Sequence, residues 1–415
     1  MNLDSINSYW FVIAASVIII ISYFFNLISK KWNVPSVLML IALGIILRWL
    51  TGIHSIDGNS SILGVLGVVG LIMIVLEASL DLELKRDKVS LILKSFFVAL
   101  IALSVSVYLI ALFIQYVYNV TLFNSFVYAI PLSIMSSAII IPSVSSLPHD
   151  KKEFMIYEST FSDILGIMFF YFLLGSVEYD SAQKLSVNIA GNIFITILIS
   201  VLVSYVIIYL FQKIRTEVKL FLLVSVLVLL YALGKMMHLS SLIIILFFGL
   251  ILHNRRLFFR GRLSQMINHE ELDKVFTNFK LITIETAFVV RTFFFVIFGL
   301  TISLSALFQL NVVFSSLVIL AVLYGARFVV LRLFIGKDII PELFIAPRGL
   351  ITVLLFFAIP VEYNVPNFES GILLFLIIAS SIIMAISLIK NSKAKGNKVD
   401  FVDDDFDEMP TFKQK

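Results

Sequence analysis

Residues 158–163 read Glu158-Ser159-Thr160-Phe161-Ser162-Asp163 and lie inside an apolar run from Phe154 to Gly175. Two carboxylates thus sit in a stretch that reads as a membrane-spanning helix. An ionised group at mid-bilayer costs at least ~2.5–3.5 kcal/mol on insertion scales, and such groups mark substrate paths, proton relays or internal ion pairs. Positions 158 and 163 differ by about 140° around a helix, so the two acids need not share a partner. Asp163 is read here as the acid on the path and Glu158 as half of a structural pair. Ser159 and Ser162 bring ligand-type oxygens beside them, which argues against two acids that merely shield each other.

The surroundings fit a membrane protein. Hydrophobic residues make up 60% of the 415 and charged residues 14%, with a mean hydropathy of +1.05, well above what soluble domains show. Cysteine is absent, which excludes disulfides, thiolate metal sites and thiol nucleophiles. No long polar block is available for a soluble catalytic domain, so covalent chemistry and a cofactor are not expected. The net charge of +4 calls for no nucleic-acid partner, because basic residues of membrane proteins gather in cytoplasmic loops.

Spans of about 20 apolar residues recur thirteen times, near 8–28, 33–51, 62–81, 91–116, 125–146, 154–175, 187–211, 218–237, 239–253, 282–304, 311–334, 341–361 and 368–389. The fold class expected is therefore all-α integral membrane, with about 13 transmembrane helices. The first span has neither a basic leader nor a small-residue cleavage site and reads as retained. Alternate loops are basic: Lys30 and Lys31, then Lys85, Arg86 and Lys88, then Lys151 and Lys152, and so on to Lys390–Lys398. The other loops carry only Arg48, Lys184 and Lys235. The positive-inside bias places the N-terminus outside and the C-terminus in the cytoplasm, as an odd span count requires. Residues 254–281 read as a cytoplasmic amphipathic connector at the membrane surface, and 390–415 as a solvated, disordered tail. No GxGxxG nucleotide-binding unit follows the membrane part.

Two spans are badly suited to continuous helix. Span five contains AIPLSIMSSAIIIPS, and span twelve contains Pro347-Arg348-Gly349. Proline removes a backbone donor, and glycine weakens a helix by about 1 kcal/mol. They hold the fifth place in spans 1–6 and in spans 8–13. Six spans, a linker and six spans give a six-plus-six inverted repeat with broken helices crossing near the midplane. The plainer alternative is a pair of proline-kinked helices.

Six ordered motifs carry a resemblance: VPSVLMLIALGIIL at 34–47, VLEASLDLELK at 75–85, SSAIIIPSVSSL at 136–147, ESTFSD at 158–163, RTFFFVIFGL at 291–300 and PRGLITVLL at 347–355. Together they resemble the monovalent cation:proton antiporter superfamily over about residues 8–390, with a sodium/proton exchanger-like membrane domain. The resemblance implies exchange of Na⁺, or K⁺, for protons by alternating access in the cell membrane. It implies a core of spans at about 91–175 and 311–389 moving against a scaffold that dimerises. Many relatives carry Thr-Asp-Pro in the unwound helix, where the Asp helps bind the cation. Here the matching stretch is Ser136-Ser137-Ala138, which leaves Asp163 as the principal carboxylate at the crossing.

The candidate residues follow. Asp163 is the shared proton and cation site, with Ser162, Ser159, Ser136 and Ser137 as hydroxyl ligands. The alternative for each serine is close helix packing. Glu158 needs a cationic partner. Arg348 and Arg291 are the intramembrane candidates, and Arg348 is favoured because the crossing brings it to midplane. Glu285 competes for Arg291. Glu77 is an accessory cation ligand or a snorkelling interfacial acid. Two rival functions remain: a sodium-coupled organic-solute carrier using Arg348 and helix N-termini, and a non-transporting sensor or partner subunit.

Overall fold

Hydrocarbon offers no partner to a backbone donor or acceptor, so a chain of apolar spans must pair its backbone internally, and helix does this within one segment. The computed structural model describes residues 8–32, 35–51, 61–84, 86–145, 147–175, 182–214, 219–236, 241–259, 268–301, 307 and 309–394. Among these there is no strand. The helices of the first half are α1 (Ser8–Trp32), α2 (Ser36–Thr51), α3 (Ser61–Asp81), α4 (Val89–Tyr118), α5 (Leu122–Ser133), α6 (Ser137–Ser143) and α7 (His149–Gly175). Then come α8 (Ala182–Phe211), α9 (Lys219–Met236), α10 (Ser241–His253), the single turn α11 (Arg255–Phe258) and α12 (His269–Thr301). The last are α13 (Leu310–Phe334), α14 (Leu350–Phe357) and α15 (Gly371–Ala394).

Counting α5 with α6 as one interrupted span and setting α11 aside, the helices give thirteen segments in the places read from the sequence. Seven are long and apolar enough to cross a membrane by length and composition alone. Of the connector expected over 254–281, residues 260–267 lie outside the described residues, and its last part is corrected. Residues 269–281 are the opening turns of α12, a continuous helix of 33 residues. Its Leu272, Val275 and Phe279 are buried, and Phe279 meets Phe248 of α10 edge-on. The apolar stripe finds protein, so it has no need of the lipid surface. Most of the tail, from 395, lies outside the described residues.

The helices pack in two groups. In one, α4 lies against α5, α7 and α13, while α15 lies against α13 and α14 against α5. In the other, α12 lies against α2 and α3, and α10 against α3, α8 and α9. Small residues allow a close seam: a Cβ on Gly44 of α2 would stand 2.9 Å from the Cα of Gly299 on α12. Such contacts hold helices together where lipid removes the hydrophobic drive.

Both spans singled out in the sequence are interrupted, but the first breaks between its prolines, since Pro131 and Pro142 lie inside α5 and α6. Between α5 and α6 the chain is extended at Ile134 and Ser136. In the second half a 3₁₀ turn at Glu342–Phe344 gives way to a non-helical run, 345–349, before α14. The two breaks meet: the Ser136 amide donates to the Pro347 carbonyl at 2.9 Å. Gly349 permits this approach, since a Cβ there would lie 2.7 Å from Ser136 Cβ. The crossing is therefore made backbone against backbone.

Candidate ion-binding site

Unwinding a helix inside a membrane frees backbone groups that must find other partners. At the first break the accounting can be followed amide by amide. Met135 N donates to Ser162 Oγ at 3.0 Å. Ser136 N donates to Pro347 O, as above, and Ser137 N donates to Asp163 Oδ2 at 3.0 Å. Two of three consecutive amides are thus held by neighbouring residues of α7. The ESTFSD helix carries Ser162 and Asp163 because the unwound segment needs acceptors at that depth.

Asp163 has only 1% of its surface exposed. Its second oxygen, Oδ1, is buried and has no hydrogen-bond partner. A carboxylate is acceptor-only when ionised, with room for about four donors. Half of this one is left without a donor from the protein. Ser136 and Ser137 flank the bond from Ser137 N and are both buried. Ser159 is buried too, but its hydroxyl donates to Ile156 O within α7 at 3.2 Å. The structure therefore brings Asp163, Ser162, Ser136 and Ser137 together at the crossing and leaves Ser159 hydrogen-bonded along its own helix. Among the described residues no group of three His, Asp or Glu side chains can hold a metal ion. A cation at Asp163 would complete its shell with hydroxyl and carbonyl oxygens.

Glu158 is treated differently, and here the sequence expectation is corrected. Its partner is Arg327 of α13, not Arg348. Arg327 Nη2 lies 2.9 Å from Glu158 Oε2, and Nη1 bonds the other oxygen. The guanidinium also reaches Glu342 O through Nη2 at 2.9 Å. This fork ties α7, α13 and the start of the second broken span in one buried knot. Arg348 instead serves backbone: Nε donates to Leu132 O at 3.0 Å and Nη1 to Ala346 O at 2.7 Å. Its own amide donates to Ser380 Oγ of α15 at 2.9 Å. The cause is local. Arg348 lies in the non-helical run, beside carbonyls that the breaks release from helix, and a cation at the end of α5 also suits that helix's dipole. Arg327 carried a signal of its own in the sequence, as an arginine inside the apolar run of α13, but the proline-glycine break drew attention to Arg348.

A cavity of about 20 Å³ lies between this knot and the crossing, with Ser133, Ser162, Glu158, Arg327 and Arg348 on its walls. It has room for a single water. Arg291 is likewise reassigned. It pairs with Glu77 across α12 and α3, Nη2 to Oε2 at 2.7 Å, and Glu285 stands exposed on α12.

Two broken helices crossing beside a buried, half-satisfied carboxylate define a secondary transporter of the inverted-repeat class. The chain belongs to the sodium/hydrogen exchanger transmembrane family, whose model matches residues 14–390. Cation:proton antiport is the activity that this membership assigns. No curated protein matches the sequence. Among solved structures, the sodium proton antiporter MjNhaP1 from Methanocaldococcus jannaschii at pH 8 superposes with a TM-score of 0.67 and 18% identity, covering 94% of this chain and 100% of that one. An electron-microscopy structure of MjNhaP1 gives a TM-score of 0.64 and 19% identity, covering 94% and 97%. At that identity the likeness concerns the fold.

Proposed function

We propose that this antiporter exchanges Na⁺, with K⁺ as the second candidate, for protons at Asp163. The observation that carries the proposal is the unequal treatment of the two Asp163 oxygens: one on the Ser137 amide, the other buried without a donor. Such a group takes a proton or a hard cation, and occupancy by one excludes the other. Competition for a single carboxylate couples the two fluxes. Ser162, Ser136 and Ser137, with carbonyls freed at the breaks, supply further oxygens, which alkali cations prefer.

Charge counting supports one proton per cation. Glu158 and Glu77 each face an arginine, which leaves Asp163 as the acid that changes its ligand. Both loaded forms of the site then carry the same charge, and the cycle is electroneutral. For the motion, α4–α7 and α13–α15 shift as a core against the remaining helices, exposing the crossing to one side at a time. The scaffold group forms a homodimer in the cell membrane. The N-terminus is outside and the C-terminus cytoplasmic, on the strength of the loop charges.

The test uses proteoliposomes with an imposed pH gradient, to which Na⁺, K⁺ or Li⁺ is added, for wild type and Asp163→Asn. The expected result is cation-dependent collapse of the gradient in wild type and none in the variant. Folded wild type that dissipates nothing with any cation refutes the exchange. A current driven by voltage at zero ionic gradient refutes electroneutrality.

A further inference from the structure

The segment that leads from α3 into α4 is held by both helix groups. Its first residues are fixed from the scaffold side. Asn254, between α10 and α11, donates from Nδ2 to Leu82 O at 2.8 Å and accepts Leu84 N at Oδ1, 2.6 Å away. This side chain has 6% of its surface exposed. Its amide uses donor and acceptor together, on the two sides of Glu83. The last residues are fixed from the core side. They form a 3₁₀ turn, Arg86–Lys88, that runs into α4, and Lys88 Nζ bonds Glu153 of α7. The segment therefore passes from one group to the other between Leu84 and Arg86.

A side chain of the core reaches across this boundary. Tyr157 of α7 donates its hydroxyl to Glu83 O at 2.8 Å. Tyr157 is buried and lies one turn beyond Glu153 on the same face of α7. Asn254 fixes the residues before and after Glu83, so the scaffold presents this carbonyl to Tyr157. Helix α7 also packs on α3, α8 and α10, and the bond therefore sits in the seam between the two groups. A neutral hydrogen bond is strong enough to favour one position and weak enough to be broken repeatedly.

We propose that the Tyr157 hydroxyl is a latch between the two helix groups. Its bond to Glu83 O holds the core in the position seen here and breaks each time the core moves. Asn254 keeps the carbonyl in place for the return. The inference rests on the reading of α4–α7 and α13–α15 as a core that shifts against the scaffold. Tyr157 sets the balance between the two positions without touching the ion. The neighbouring Glu158–Arg327 pair stays closed throughout, since both of its members belong to the core.

The chain has no cysteine, so spin labels can be placed at Trp49→Cys and Val361→Cys with no native thiol to remove. Both positions are exposed. Trp49 is on α2 of the scaffold group. Val361 follows α14, in a loop tied to α5 by Tyr128, whose hydroxyl donates to Asn364 Oδ1 at 2.9 Å. Pulsed dipolar spectroscopy on the full chain in liposomes, with and without Na⁺, reads the distance between the labels in this background and with Tyr157→Phe added. Phenylalanine keeps the ring and removes the donor. The expected result is two distances, one of them that of this structure. Tyr157→Phe should shift their ratio away from this structure by about two- to tenfold, the range of one neutral hydrogen bond. A ratio that is unmoved, or moved toward this structure, overturns the proposal whatever happens to the melting temperature, because a merely structural bond changes stability and leaves the ratio alone. A single distance in the doubly labelled protein, unaltered by Na⁺, removes the moving core and this inference together. Two distances whose ratio ignores Tyr157 remove the inference alone.

Discussion

Glu158 and Asp163 share a helix and near-complete burial, yet their surroundings solve opposite problems. Around Glu158 both oxygens meet the fork of Arg327, and that fork is fixed in turn by the Glu342 carbonyl. Around Asp163 one oxygen takes the Ser137 amide and the other takes nothing. The half-turn offset between the two positions separates them. Glu158 faces α13 and the second broken span, while Asp163 faces the end of the first. A buried charge that is fully paired joins elements, and one that is half paired is available for exchange. The same helix thus carries both the joint and the group proposed to exchange.

The sharpest way to break this contrast is to neutralise each acid in turn. Asp163→Asn should abolish exchange while leaving the amount of folded protein near wild type, because the amide keeps an oxygen for the Ser137 bond. In wild type the apparent KM for Na⁺ should rise as the pH falls, since protons then occupy Asp163 for more of the time. Glu158→Ala should do the reverse of Asp163→Asn. It strands Arg327 in the interior at a cost of about 3–5 kcal/mol, so folded yield and melting temperature fall. Arg327→Ala should cost a similar amount, and replacing both by apolar residues should recover part of it. Purification yield and thermal unfolding in detergent, read beside the gradient assay, separate the two outcomes. An Asp163→Asn protein that fails to fold, or a Glu158→Ala protein of normal stability, ends the distinction.

A smaller effect is expected where the two breaks touch. Gly349→Ala would put a methyl group within 2.7 Å of Ser136 Cβ and 2.9 Å of Ile139 Cδ1. Overpacking of this kind costs about 1–3 kcal/mol. Here it would also spread the hydrogen bond from Ser136 N to Pro347 O, on which the position of Ser137 N relative to Asp163 depends. The variant should therefore lose transport rate out of proportion to its loss in melting temperature. A proportionate loss would mean that the crossing supports the fold without positioning Asp163.

Much of this was legible in the sequence, for physical reasons that differ by element. The spans could be read because hydrocarbon forces apolar helices of a fixed length, and the interrupted spans could be picked out because proline and glycine weaken helix, although Pro131 and Pro142 themselves lie inside α5 and α6. Asp163 stood out because charge in a membrane is costly wherever it sits. The partners did not follow from these local rules. Arg327 and Arg348 look equally charged and equally buried in one dimension. Only the three-dimensional path shows that Arg348 lies among carbonyls released from helix and that α13 carries Arg327 to Glu158. The connector misled for a similar reason. An amphipathic stripe at 272–279 announces an apolar surface to cover, but not whether that surface is lipid or α10.

The finest test lies between two serines that the sequence could not separate. Ser162 and Ser159 are both on α7, both buried, and both within one turn of an acid. Ser162 Oγ accepts the Met135 amide, so Ser162→Ala leaves a buried donor of the unwound segment unpaired, at about 1–3 kcal/mol. Ser159 Oγ donates only along its own helix, and Ser159→Ala removes a bond whose acceptor, Ile156 O, also receives Thr160 Oγ1 at 2.8 Å. Ser159→Ala should therefore be nearly neutral in thermal unfolding, whereas Ser162→Ala lowers the melting temperature and slows exchange. If the two serines prove equal, the unwound segment does not depend on α7 for its acceptors, and Asp163 is held in place by something other than the accounting of Met135, Ser136 and Ser137.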